Sequence, residues 1–158
     1  MNKVLPVVLF FALLISCESK KSNENKEVNE SMPTISEQLI GKWHNLEIKV
    51  VIKKDDGDSV AYVPQDKWEE ILNIKPIVTA FNTDSTFVSE YMSLEGEVIM
   101  TSAGTWVMEG DSLIMTERGS DNTYLATIKN DTVSFTGYID WDQDGAMDDL
   151  YSGTQIRH

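Results

Sequence analysis

Apolar and polar residues alternate at a spacing of two along much of the chain after residue 40. Leu46, Ile48 and Val50 follow this spacing, and side chains two residues apart lie on the same face of a β-strand. Trp43 is out of phase with this series. The mismatch predicts either a β-bulge within the strand or a tryptophan that caps one end of a barrel.

Turn-forming residues separate the alternating segments, which predicts a series of short antiparallel strands. Thr34 and Glu37 have the spacing of a helix capping box, and residues 67–72 are predicted to form a second short helix. Residues 118–122 are predicted to form a loop, and Gly104 a bulge or bend. The predicted strands are 41–52, 59–63, 77–81, 86–92, 97–109 (one long strand or two short ones), 112–117, 124–129, 132–139 and 150–157.

This pattern is typical of an up-and-down barrel or a sandwich, and closure of the sheet would leave no edge strand exposed. The predicted fold class is therefore all-β: an antiparallel up-and-down barrel of about eight to ten strands with one or two short helices.

The N-terminus has the pattern of an export signal. Lys3 precedes a short apolar run that ends at Ser16, too short to span a bilayer. Residues 14–17, which end in Cys17, resemble the bacterial lipobox, and this resemblance implies lipidation of Cys17 after cleavage before it. We predict a signal peptide at 1–16, the lipidated cysteine and a disordered tether at 17–33, and a folded domain at 34–158.

Composition excludes several classes of function. The chain has 26 acidic and 13 basic residues, a formal net charge of −13, which argues against nucleic-acid binding. One cysteine excludes an intrachain disulfide and a cysteine-rich zinc site. Neither a phosphate loop nor a nucleophile elbow is present, and His44 has no acidic neighbour suited to orient it. We therefore expect that the protein is not an enzyme.

Two motifs in the predicted barrel carry a family resemblance. Gly41 and Trp43 follow a short helix at the start of the first strand, as in the lipocalins, and residues 104–115 resemble a mid-domain motif of lipocalin-like lipoproteins from Bacteroidetes-type bacteria. The resemblance covers residues 39–158. It implies that Arg157 packs on Trp43 to close the barrel, and that the barrel accepts a small hydrophobic ligand.

The resemblance and the lipobox together predict a monomer anchored to the outer membrane of a Gram-negative bacterium, on a face that the sequence leaves open. Whether the barrel is hollow or filled also stays open, and a filled barrel would favour an accessory or inhibitory role towards a protein partner. If it is hollow, methionines give an adaptable lining, although they are also ordinary core residues. The candidate lining residues are Met92, Met100, Met108 and Met115.

An acidic segment before the last strand has the spacing of a calcium loop. Asp140, Asp142, Asp144 and Gly145 match positions 1, 3, 5 and 6, where alternate carboxylates converge on a cation and glycine permits the turn. Tyr151 stands where position 12 requires a glutamate. The alternative is a solvated acidic hairpin loop. The candidate Ca²⁺ ligands are Asp140, Asp142, Asp144, the carbonyl of Ala146, Asp148 and Asp149.

Overall fold

The computed structural model describes residues 32–158, which form one compact unit. The predicted signal peptide, Cys17 and nearly all of the predicted tether lie outside the described residues. Within 32–158, no helix is both long enough and apolar enough to cross a membrane.

The described residues form nine strands and two short helices, joined mostly by tight turns. Helix α1 begins after Thr34, and the predicted capping box is present, with Thr34 and Glu37 each bonding the other's backbone N–H. In chain order the elements are α1 (Ile35–Leu39), β1 (Gly41–Ile52), β2 (Ser59–Val63), α2 (Trp68–Leu72), β3 (Val78–Phe81), β4 (Thr86–Met92), β5 (Val98–Glu109), β6 (Ser112–Glu117), β7 (Ser120–Lys129), β8 (Thr132–Ile139) and β9 (Asp149–Arg157).

Eight of these strands close into an antiparallel barrel. Strands β3 to β8 each pair with the next strand along the chain, and β1 closes the ring by pairing with β9 along one edge. The other edge of β1 pairs with β3 through residues 41–44 and with β2 through residues 48–52. Strand β2 is therefore an extra strand outside the ring. The predicted all-β, up-and-down barrel is confirmed.

The phase change in β1 comes from a β-bulge. Asn45 pairs with Gln155 and Glu47 with Thr154, so Leu46 is an extra residue relative to β9. The insertion lets Trp43 and Asn45 face the interior before it, while Val50 does so after it. Trp68 of α2 is buried and donates its indole N–H to the Leu46 carbonyl at 2.8 Å, which attaches the β2–β3 connection to the bulge.

Two local predictions were wrong. Strand β7 begins at Ser120, earlier than predicted. Residues 120–124 pair with β6 and do not form a loop. At Gly104 the β4–β5 pairing continues without interruption, and the register shift lies between Tyr91 and Met92 instead. Gly104 is needed for another reason: a Cβ there would collide with the backbone oxygen of Thr116.

The two ends of the barrel differ. At the end that we call the closed end, α1 precedes β1, and Leu39 packs with Trp43, Phe81 and Trp106 in one apolar cluster. The opposite end, which we call the open end, carries the connections 93–97, 118–119 and 140–148. The apolar cluster fills the half of the barrel next to the closed end, and this leaves space in the other half.

Candidate functional site: a polar and aromatic cavity in the open half of the barrel

A cavity of about 230 Å³ occupies the open half of the barrel. Its wall contains most of the buried polar side chains of the described residues, namely Asn45, Thr79, Ser89 and Gln155. Burial of polar groups away from water is unfavourable unless they are paired. Their concentration around one cavity therefore separates this wall from the apolar packing of the closed half.

The four polar side chains pair with one another and leave one acceptor free. The hydroxyl oxygens of Thr79 and Ser89 lie 2.8 Å apart, and the amide of Gln155 donates to Asn45 Oδ1 at 2.8 Å. The other amide atom, Gln155 Oε1, is buried and has no hydrogen-bond partner among the described residues. A buried carbonyl oxygen of this kind favours a donor group nearby.

Aromatic rings form much of the remaining wall. The rings of Tyr124 and Tyr151 meet edge to face, with centroids 5.4 Å apart. The rings of Tyr124 and Phe135 also meet edge to face, with centroids 6.2 Å apart. Burial, with smaller effects from Tyr91 and Glu117, raises the pKa of Tyr124 to about 12. Burial also raises the pKa of Tyr151. Burial and, to a smaller extent, the charge of Glu117 raise the pKa of Tyr91. All three hydroxyls therefore stay protonated at neutral pH.

Glu117 and Trp141 lie where the cavity wall approaches the open end. Glu117 accepts a hydrogen bond from Ser102 at 2.6 Å and lies 3.6 Å from the exposed Arg118. Trp141 follows β8 and is 44% exposed, although its side chain lines the cavity. The mouth therefore combines one carboxylate with a partly exposed aromatic ring.

Of the four methionines predicted to line a cavity, one lies in the wall of this cavity. Met115 lines the cavity. Met108 packs against the apolar cluster of the closed half and is not part of the cavity wall. Met92 is the last residue of β4, beyond the register shift, and is not part of the wall either. Met100 lies on residues 98–104 of β5, which extend beyond the pairing with β6, and it is 52% exposed.

The structure places Arg157 against Trp43 at the closed end. The guanidinium carbon lies 4.3 Å from the centre of the wholly buried indole. Its two terminal nitrogens donate to the carbonyls of Gln38 and Ile40, at 3.0 Å for Ile40, and Trp43 donates to the carbonyl of Leu39 at 2.7 Å. The pair therefore satisfies carbonyl groups at the end of α1 that the helix itself leaves free.

The acidic segment brings three of its candidate ligands together. Carboxylate oxygens of Asp140, Asp142 and Asp149 lie within 4.8 Å of one another, a group that could hold a metal ion. One oxygen of Asp140 is buried without a hydrogen-bond partner in residues 32–158. Tyr151, at the position of the expected glutamate, lines the barrel cavity instead, and the third carboxylate of the group comes from Asp149.

Asp149 also organises this segment by itself. Its wholly buried carboxylate accepts backbone N–H bonds from Lys53, Trp141 and Asp142 at 2.8–3.2 Å. Burial raises the pKa of Asp149, but these three bonds and the charge of Lys54 outweigh it and hold the pKa below its usual value. Asp149 thus joins the end of β1 to the β8–β9 connection.

The remaining candidate ligands lie outside this group of three. Asp144 accepts a bond from the N–H of Ala146 at 2.8 Å, and Asp148 lies with Asp142 and Asp144 in an exposed cleft beside Lys53 and Lys54. Loss of hydration, and then the carboxylates around it, raise the pKa of Asp148. Asp148 therefore lies mainly among like charges, although Lys53 and Lys54 line the same cleft.

No known protein-family model matches this chain, and no curated protein matches it.

Sequence reasoning missed most of the cavity wall. Thr79, Ser89 and Gln155 occupy inward-facing positions, but polar residues at such positions resemble the solvent face of a strand. One sequence signal for the cavity wall was present in β9. Its alternate residues Tyr151, Gly153, Gln155 and Arg157 share one face. A Cβ at Gly153 would collide with the ring of Tyr151, so the glycine makes room for that tyrosine inside the barrel.

Proposed function

We propose that this protein binds a small ligand in the open half of its barrel. The observation that carries the proposal is the cavity wall, which gathers Asn45, Thr79, Ser89 and Gln155 and leaves Gln155 Oε1 unpaired. A barrel whose interior had a purely structural role would be filled with apolar side chains, as its closed half is.

The size of the cavity limits the ligand. A dry cavity of about 150 Å³ accommodates benzene, which is about 25 Å³ for each non-hydrogen atom. At that ratio, the 230 Å³ here holds about nine non-hydrogen atoms. The cavity lies below the ~300 Å³ of typical drug-sized sites, so the enclosed part of the ligand is a single ring or a short chain with polar substituents, and not a long acyl chain.

Native mass spectrometry of protein purified without its lipid anchor tests the proposal. We expect a co-purifying molecule of low mass on the wild-type protein. Ser102→Trp places a large ring at the mouth and should remove that mass, whereas Thr101→Trp, on the adjacent exposed position of β5, should retain it. A bare wild-type mass, or equal loss in both variants, would contradict binding in the cavity.

Localisation is part of the same proposal and rests on the sequence. The apolar run that ends at Ser16 and the lipobox-like residues 14–17 support export and lipidation at Cys17. A lipocalin-like, lipid-anchored binding protein of a bacterial outer membrane is the function that these features favour together. Metabolic labelling with a palmitate analogue, compared between wild type and Cys17→Ser, tests the anchor; equal labelling would contradict it.

A protein partner is the second candidate function, and one observation favours it. Residues 98–104 of β5 have no β6 partner, and Val98, Ile99 and Met100 on this segment are each more than half exposed. An exposed apolar strand edge is a template for pairing with another chain. This candidate makes the protein an accessory or inhibitory module, and pull-down with wild type but not with Ile99→Lys would support it.

We also propose that the Asp140, Asp142 and Asp149 group binds Ca²⁺ and stabilises the β8–β9 connection. Hard carboxylate oxygens suit Ca²⁺, and the unpartnered oxygen of Asp140 supports a cation there. At 100 times Kd, binding would stabilise the fold by about 2.7 kcal/mol. Millimolar Ca²⁺ should raise the melting temperature of wild type but not of Asp142→Ala, and no rise in wild type would refute the site.

A further inference from the structure

The cavity wall carries charge of one sign. Among its lining residues in the described part of the chain, Glu117 is the one with a carboxyl group, and neither lysine nor arginine lines the cavity. Arg118 reaches Glu117 at 3.6 Å but is 87% exposed. An ion pair so open to solvent contributes little, so the carboxylate still faces the mouth largely uncompensated.

The neutral part of the wall is rich in aromatic rings. Faces of tyrosine, phenylalanine and tryptophan rings attract cations through their quadrupoles, and Tyr91, Tyr124, Tyr151 and Trp141 line the same space as Glu117. Gln155 Oε1 adds a free acceptor. An anionic ligand would find no cationic partner in this wall, and would enter a protein whose formal net charge is −13.

From this arrangement, and resting on the proposed binding function, we propose that the ligand is a small organic cation: an ammonium group attached to a ring or short apolar chain. The apolar part occupies the aromatic wall, and the ammonium group lies near Glu117 at the mouth. The cavity volume limits the molecule to about nine non-hydrogen atoms inside the barrel.

Three probes that differ chiefly in charge test the ligand class. Isothermal titration calorimetry on the full chain, held in a mild non-ionic detergent, compares 2-phenylethylamine, 2-phenylethanol and phenylacetate. We expect the amine to bind about tenfold more tightly than the alcohol, the effect of about one charge-assisted hydrogen bond, and phenylacetate to bind most weakly.

Two glutamate variants locate the effect. Glu117→Gln keeps an acceptor for Ser102 and removes the charge, so it should weaken amine binding about tenfold and leave alcohol binding unchanged. Glu109→Gln removes the same charge from an exposed position at the closed end of β5 and should change neither. Far-ultraviolet circular dichroism checks that both variants are folded.

The outcomes separate this inference from the function on which it rests. If the alcohol or phenylacetate binds as tightly as the amine, or if Glu117→Gln behaves like Glu109→Gln, the cation inference is wrong and binding of a small ligand stands. If none of the three probes binds, the cation inference is wrong, whereas the proposed binding function is refuted separately, by a bare wild-type mass in native mass spectrometry.

Discussion

Replacement of Arg157 tests how the closed end of the barrel is held together. Its guanidinium lies 4.3 Å from the centre of the Trp43 ring and donates to two carbonyls at the end of α1. Arg157→Met keeps much of the side-chain volume but removes the charge and both hydrogen bonds. Arg157→Lys keeps the charge but cannot reproduce the planar fork of donors.

The expected loss follows from these contacts. A partly desolvated cation–π contact contributes about 1 kcal/mol, and a hydrogen bond from a charged donor about 1.5 kcal/mol. We therefore expect Arg157→Met to lower the free energy of unfolding by about 4 kcal/mol and Arg157→Lys by about half as much. Total stabilities of domains are about 5–15 kcal/mol, so either loss is large enough to measure.

Urea denaturation followed by far-ultraviolet circular dichroism measures both losses. A double-mutant cycle with Trp43→Phe isolates the contact between ring and guanidinium, for which we expect a coupling of about 1 kcal/mol. Lys129→Met, on β7, is a control for loss of a positive charge. If the Arg157 variants stay within about 0.5 kcal/mol of wild type, the closed end does not depend on this residue, and the reasoning is refuted.

Three further predictions concern stability. Gly104→Ala should destabilise by about 1–3 kcal/mol, because its Cβ would meet the Thr116 backbone; an unchanged urea midpoint would contradict this. Asp149 has a lowered pKa, so its stabilising effect should disappear as pH falls below about 4. In urea titrations, the free energy of unfolding of Asp149→Asn should therefore fall less steeply with decreasing pH than that of wild type. Partial burial and then His158 lower the pKa of His44. The unfolded chain therefore binds the proton more readily, so wild type should lose stability as pH falls below about 6.5, and His44→Gln should lose less.

Much of the fold was predictable because β-strand alternation and turn residues coincide. The bounds of β4, β6 and β8 follow directly from them. The start of β7 was not predictable in this way, because Asp121 and Asn122 are typical loop residues. They are nevertheless paired in a tight hairpin with Thr116 and Met115 of β6.

The site was less predictable than the fold for a different reason. Alternation shows which face a residue shares with its neighbours, but not where the adjacent strand ends. Met100 has the inward phase of Tyr91, its pairing partner, yet it lies beyond β6 and is exposed. The acidic ligands were found because a calcium loop is a local pattern. By contrast, the pairing of Asn45 with Gln155 joins residues 110 positions apart.

The division of the barrel into a filled half and a hollow half has a consequence for how the protein can evolve. Leu39, Trp43 and Trp106 of the apolar cluster lie outside the cavity wall, although Phe81 and Phe135 belong to both. Under the proposed binding function, substitutions in the wall, such as those at Ser89 or Ser102, would alter ligand preference while the closed half preserves the fold. A scaffold of this kind can acquire new specificities in few mutational steps, and deep mutational scanning should separate the positions that control abundance from those that control binding.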